Sequence, residues 1–257
     1  NAIVSVTESF VPHITDRLKG PKPLHVIKNG VDLSLFNRSI SAEDAKRQLG
    51  LDGKYVAAYV GTHGLAHGLD TVLDAAERLT HDPRIVFLLV GDGAERVRLL
   101  ERAKQMQLAN IRILGQRPKS DMPMVWAATD ASIIHLKRSD TFKKVLPSKM
   151  FEAMAMQCPI VLGVEGEARA LLDDANAGIG ITPENADELA NAVAALADDP
   201  HLCETLAASG SSYVRTHFDR SRLARAYLDV LSAVSRRNAE PTHVGSRGLD
   251  RGSESAR

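Results

Sequence analysis

Tyr55–Val60 reads YVAAYV and runs straight into Gly61-Thr62-His63-Gly64-Leu65-Ala66-His67-Gly68. Leu69, Val72, Leu73, Ala76 and Leu79 then recur at helical spacing. An apolar β-branched run, a glycine-rich turn and an amphipathic stripe, in that order, make a strand–loop–helix unit. YVAAYV does not alternate with polar residues, so both faces of its strand are expected to be covered, as in a parallel sheet. The unit recurs outward from this point. Ile85–Val90 (IVFLLV), Ile111–Leu114 (IRIL), Ala131–Ile134 (ASII), Pro159–Leu162 (PIVL) and Ile179–Ile181 read as further strands. Helical stripes through Val97–Leu108 and Leu189–Leu196 lie between or after them. The pattern predicts an α/β fold with a doubly wound parallel sheet, and ligands at the carboxyl ends of its strands.

The flanks differ from this middle. Ile3–Val6 reads as a short strand, Glu8–Leu18 as a helix and His25–Ile27 as a strand. Asn29-Gly30-Val31-Asp32 follows as a turn, with Asn-Gly suited to positive φ. Residues 236–257 are rich in Gly, Ser, Arg and Glu, and are expected to be a disordered tail. The chain opens at Asn1 with residues that read as the middle of a protein, so a fragment or processed product is expected.

Composition narrows the function classes. A chain of 257 residues, 44% hydrophobic, can bury a sizeable core. Its 32 Lys and Arg balance 32 Asp and Glu, so no electrostatic case exists for nucleic-acid binding. Cys158 and Cys203 lie far apart without C-x-x-C spacing, which argues against a disulfide framework or zinc site and for a reducing cytoplasm. No signal peptide is expected from the opening residues, and no apolar run has the length of a membrane span.

Three segments carry candidate chemistry. In the Gly61–Gly68 loop, three glycines let backbone approach an anion, although an ordinary strand-to-helix turn has the same composition. Its spacing is not G-x-G-x-x-G, which weakens a dinucleotide reading. His63 and His67 are four apart, but the surrounding glycines disfavour a helix and no H-E-x-x-H glutamate is present, so no metal is expected. Asp92 in Gly91-Asp92-Gly93 suits either a ribose contact or a turn that caps a helix starting near Ala94. In Leu146-Pro147-Ser148-Lys149, Pro147 suits the first helical position and Ser148 places a hydroxyl in the first turn. Lys149 puts positive charge at the positive end of a helix, which is unfavourable without an anion nearby. Glu152, one turn on, suits sugar or ribose hydroxyls. A surface lysine and a stabilising first-turn glutamate fit these two positions equally well.

The blocks VIKNGVDLSLF, YVGTHGLAHGLDTVLDAA, LLVGDG, ILGQRP, LPSKMFEAMAMQCPIV and GIGITPENADELANAVAAL, taken in order, resemble retaining family 4 glycosyltransferases of the GT-B fold. The likeness covers about residues 1–235 and is nearest to bacterial members of O-antigen, capsule or exopolysaccharide assembly. It implies two Rossmann-like domains, with the donor held by the C-terminal one. Residues 1–28 would then be a remnant of the acceptor domain and linker, and residues 29–218 the nucleotide-sugar-binding domain. Residues 219–235 would form a helix crossing back onto a largely missing N-terminal domain.

By the same resemblance, Gly61, Thr62, His63, Gly64 and His67 face the donor diphosphate and transferred sugar, together with Leu146, Pro147, Ser148 and Lys149. Gln116, Arg117 and Pro118 match the loop at the nucleotide base, and Glu152 the glutamate beside the ribose. Two positions depart from the family pattern. The first glutamate of the Glu-x7-Glu motif is replaced by Lys144, and the usual arginine and lysine fall near Thr62 and His67, where His67 and Lys149 can supply charge. The implied reaction moves a hexosyl unit from a UDP-sugar, or less favourably a GDP-sugar, to a glycan or lipid-linked acceptor. Retention is expected, as are a cytoplasmic location and peripheral membrane association of the full-length protein. No catalytic nucleophile is assigned. The alternatives are a binding module inactive without a partner N-terminal domain, a nucleotide-sugar epimerase of the same architecture, or an NAD oxidoreductase.

Overall fold

Apolar runs such as YVAAYV and IVFLLV need cover on both faces, and the fold supplies it. A computed structural model describes residues 1–239. A small outer unit comes first, with β1 (Ile3–Ser5), a short 3-10 turn, α1 (Val11–Thr15) and β2 (Leu24–Val26). After α2 (Ala42–Gln48) come β3 (Tyr55–Val60), α3 (Asp70–Arg78), β4 (Ile85–Val90), α4 (Arg96–Gln105) and β5 (Ile111–Leu114). The second half holds α5 (Met122–Ala127), β6 (Ala131–His135), α6 (Lys149–Ala155), β7 (Ile160–Gly163), α7 (Glu167–Ala175) and β8 (Gly178–Gly180). Three helices close the chain, α8 (Ala186–Asp198), α9 (Pro200–His217) and α10 (Arg220–Ala239).

The main sheet has the order β5-β4-β3-β6-β7-β8, and all its neighbours are parallel. This is the doubly wound arrangement, whose strand order reverses beside the first strand and opens a crevice between β3 and β6. Successive residues of β3 serve opposite layers. Val56, Ala58 and Val60 pack with Trp126, Phe151 and Met154, while Ala57 and Tyr59 pack with Leu73, Leu189 and Val193. Trp126, Phe87 and Phe151 have no exposed surface, and each such side chain contributes about 1.5–3 kcal/mol through burial. Local signals set the helix starts. Ser41 accepts from the Asp44 amide at 3.1 Å, and Asn185 from the Asp187 and Glu188 amides at 3.1 and 3.0 Å.

The flanking expectations need correction. Helix Glu8–Leu18 resolves into a 3-10 turn at Glu8–Phe10 and the five-residue α1, because Pro12 sits in the first turn and has no amide to extend helix upstream. The turn at Asn29-Gly30 uses no positive φ. Gly30 is needed for close approach instead, since a Cβ there would lie 2.5 Å from the Phe218 carbonyl oxygen and 2.7 Å from Leu223. Beside it, the Val31 amide donates to Phe218 at 2.9 Å and the Arg220 amide donates to Val31 at 3.0 Å, a single parallel bridge between Val31 and Asp219. α10 runs through Ala239, past the expected boundary at residue 235, and the rest of the expected tail, 240–257, lies outside the described residues. Among the described residues, no helix is long and apolar enough to cross a membrane.

Gly30→Ala is expected to destabilise the fold by about 1–3 kcal/mol through overpacking, read as a lower urea midpoint with an unchanged slope.

Candidate functional site

Parallel strands deliver their loops to one edge, and here two glycines let those loops touch. Gly61 (φ 146°) and Gly91 (φ 149°) follow β3 and β4 in backbone conformations that favour glycine, and Gly91 lies directly on the Gly61 carbonyl. The His63 amide donates to the Asp92 carbonyl at 2.8 Å, and the Glu95 amide to the His63 carbonyl at 2.9 Å, so the two loops form one surface. A cleft of about 350 Å³ opens over them, lined by Gly61, Thr62, Asp92, Gln116, Arg117 and Met122 among others. The β3 loop and the Gln116–Arg117 loop thus share one cleft. A second cavity of about 390 Å³, with Tyr55, Asp130 and Cys203 in its wall, lies at the amino ends of the strands. Ligands of doubly wound sheets bind at the carboxyl ends, which favours the first.

Beside the cleft, Lys149 opens α6, and its Nζ lies 4.3 Å from the centroid of the Tyr59 ring and 3.2 Å from the Tyr59 hydroxyl. The hydroxyl donates onward to the Thr62 carbonyl at 2.8 Å. The ammonium occupies the space a side chain at Gly61 would need. No carboxylate forms an ion pair with Lys149 among the described residues. Burial therefore pushes its pKa down to about 8, with Glu152 opposing the fall. His67 meets the Tyr59 ring edge-on at 5.8 Å and holds a buried Nδ1 without a partner. Burial, then Lys149, lowers its pKa. His63 is fully buried with both ring nitrogens unpartnered, and burial and Arg96 push it down to about 4. Its ring lies beneath the loop surface, and only its backbone takes part in joining the loops.

The remaining predicted residues are dispersed. Glu152 Oε2 accepts from the Trp126 indole at 3.3 Å, and burial raises its carboxyl pKa. Pro118 follows Arg117 as exposed surface. Gly64 precedes a 3-10 turn at Leu65–His67, a single helical turn where the glycines had spoken against any helix. Pro147 stands two residues ahead of α6, and Ser148 makes no capping bond with its side chain. Leu146 lines a separate cleft with Thr7, Phe10 and the exposed Lys144, while Ser148 borders another with Lys28 and Arg220. Asp92 does not cap α4, which starts at Arg96, but accepts from the Gly93 amide at 2.8 Å.

Sequence reading did not single out Tyr59, Trp126, His135 or Glu184. His135 ends β6 with its ring held between the His67 carbonyl (2.7 Å) and the Glu184 amide (2.8 Å). A histidine closing an apolar strand was the available signal.

A lysine whose folded pKa lies below its unfolded value costs stability while protonated, and that cost fades as pH rises through the interval between the two. Lys149→Met is accordingly expected to raise the melting temperature at pH 7, with the gain over wild type shrinking as pH climbs from about 8 towards 10.5. Scanning calorimetry across this range reads it.

Comparison with known proteins meets this geometry. The family model described as glycosyl transferases group 1 matches residues 41–212. Alpha-D-kanosaminyltransferase of Streptomyces kanamyceticus is 27% identical over 199 residues, covering 73% of this chain and 49% of that protein. The chain thus spans about half the length of this curated relative. Among solved structures, Anabaena HepE in complex with UDP-glucose is 22% identical with a TM-score of 0.79, over 90% of this chain and 64% of that one. The C-terminal domain of a glycosyl transferase group 1 family protein from Francisella tularensis is 21% identical with a TM-score of 0.63, over 74% of this chain and 99% of that one. At such identities the structural likeness shows the fold alone. With the family model matching well over half its length, the chain belongs to the group 1 glycosyl transferases, on a Rossmann-like sheet of the GT-B kind.

Proposed function

We propose that this chain is the donor-binding half of a retaining family 4 glycosyltransferase that moves a hexosyl unit from a UDP-sugar to a glycan or lipid-linked acceptor. The observation that carries the reading is Lys149, a half-buried cation without an ion-pair partner among the described residues, held beside the Gly61 loop at the switch point of the sheet. Such a charge is costly unless an anion completes it. A diphosphate has the right sign and size, and HepE, which shares the fold, was solved with UDP-glucose.

In this reading the donor diphosphate meets Lys149, His67 and the backbone of Gly61, Thr62, His63 and Gly64, with Leu146, Pro147 and Ser148 contributing main chain. Gln116, Arg117 and Pro118 flank the base, and Glu152 accepts from the ribose. Charge building on the departing diphosphate is balanced by these groups rather than by a metal. The acceptor is held by a domain outside this chain, and the reaction runs in the cytoplasm, at the inner membrane face where the acceptor is lipid-linked.

A second reading, a module that binds donor but transfers only with a partner domain, is favoured by exposed Val6, Tyr227, Leu228 and Leu231 (44–59% exposed) on the outer unit and α10. Monodisperse monomer in analytical ultracentrifugation would count against it.

A charge-assisted hydrogen bond contributes about 1.5–3 kcal/mol, so Lys149→Ala should weaken UDP binding roughly 10- to 150-fold in calorimetry. Unchanged affinity would sink the role given to Lys149. Wild-type affinity should also fall as pH rises through about 8, where the free lysine loses its proton, and the variant should lack that decline.

A further inference from the structure

The ring of His135 is 1% exposed, yet both its nitrogens are matched. The His67 carbonyl can only accept and the Glu184 amide can only donate. The two bonds, at 2.7 and 2.8 Å, therefore define the ring as neutral with its proton on Nδ1. Gly68, in the left-handed region (φ 56°, ψ 42°), directs the His67 carbonyl towards β6. Gly68 and Gly163 also leave room for the ring, since a Cβ at either would press on it.

Neighbouring contacts repeat the tie. The Lys137 amide donates to the Ala66 carbonyl at 2.9 Å, and the Arg138 amide to the Glu184 carboxylate at 2.9 Å. Glu184 holds φ 64°, a strained value for a residue with a side chain. The end of β6 thus fixes two successive carbonyls of the Gly61–Gly68 loop and both ends of Glu184.

We infer that His135 is a positioning residue for the donor diphosphate, its neutral Nδ1–H tautomer locking the last turn of the loop so that the His67 ring stays against Tyr59 beside Lys149. The inference rests on the donor-site reading above. The ionisable groups near His135 are Glu184 and His67, with the Lys137 stem packed at Gly68 and Lys149 beyond His67. Burial holds the imidazole below the ordinary histidine range, in keeping with a neutral ring.

The test uses three variants and one spectrum. His135→Asn can present an amide N–H where Nδ1–H stands and so keeps the His67 bond. His135→Gln reaches the Glu184 side instead, and His135→Leu makes neither bond. With UDP as the probe, the Leu and Gln variants should bind roughly tenfold more weakly than wild type, and Asn within about threefold of it. Long-range ¹H–¹⁵N spectra of wild type should show a neutral ring protonated at Nδ1. Asn binding no better than Gln, Leu binding as well as wild type, or a ring protonated at Nε2 would overturn the inference. Should Leu fail to fold, the Asn–Gln comparison and the wild-type spectrum decide. Wild type that binds no UDP would bring down the donor reading and this inference with it, whereas a binding wild type matched by Leu brings down the inference alone.

Discussion

Each inner strand of the main sheet is covered on both faces, and this constraint organises everything else in the molecule. Val56 and Ala57, one residue apart on β3, belong to different hydrophobic layers, so no polar group can be placed along the strand without burial. Polar chemistry is therefore confined to the strand ends. At the carboxyl end, the reversal of strand order between β3 and β6 spreads neighbouring loops apart and opens a crevice. Glycine then sets how closely those loops approach. The backbones after β3 and β4 touch because Gly61 and Gly91 carry nothing that would hold them apart.

The electrostatics at that end are unbalanced in one direction. Tyr59 gives Lys149 a ring face and a hydroxyl, both weaker partners than a carboxylate. His63 and His67 close by hold buried nitrogens without partners among the described residues. Elsewhere the fold pairs its charges, as where Lys46 meets Asp130 at 2.7 Å or Arg98 meets Asp70 at 2.7 Å. Satisfying these cations while leaving Lys149 without such a partner among the described residues carries a local cost to stability. Groups held in this way are ready for a ligand instead of for one another.

How much could be read from sequence follows from the range over which each feature is determined. YVAAYV, IVFLLV and the stripe from Leu69 are local patterns, and they became β3, β4 and α3 within a residue or so. Gly61, Thr62, Gln116 and Arg117 were readable as loop residues after strands, and topology then brought them to one cleft. The need for Gly30 is not legible locally, because its reason lies in the Phe218 carbonyl, far along the chain. The expected helix Glu8–Leu18 is longer than the one formed, because Pro12 breaks it into a 3-10 turn and the short α1. Tyr59 and His135 escaped notice for a related reason. Tyr59 lies inside an apolar run and His135 just past the end of one, and only the packed fold shows the hydroxyl beside Lys149 and the imidazole against the distant His67 carbonyl.

The bridge between Val31 and Asp219 has a mechanical side. It sets the segment that leads into the main sheet directly against the segment that leads out of it to α10. A second tie lies at the start of α7, where the Glu167 carboxylate accepts from the Glu8 and Ser9 amides at 3.2 and 3.1 Å. The outer unit is therefore fastened to the main sheet at two separated places, which resists rotation about either one alone.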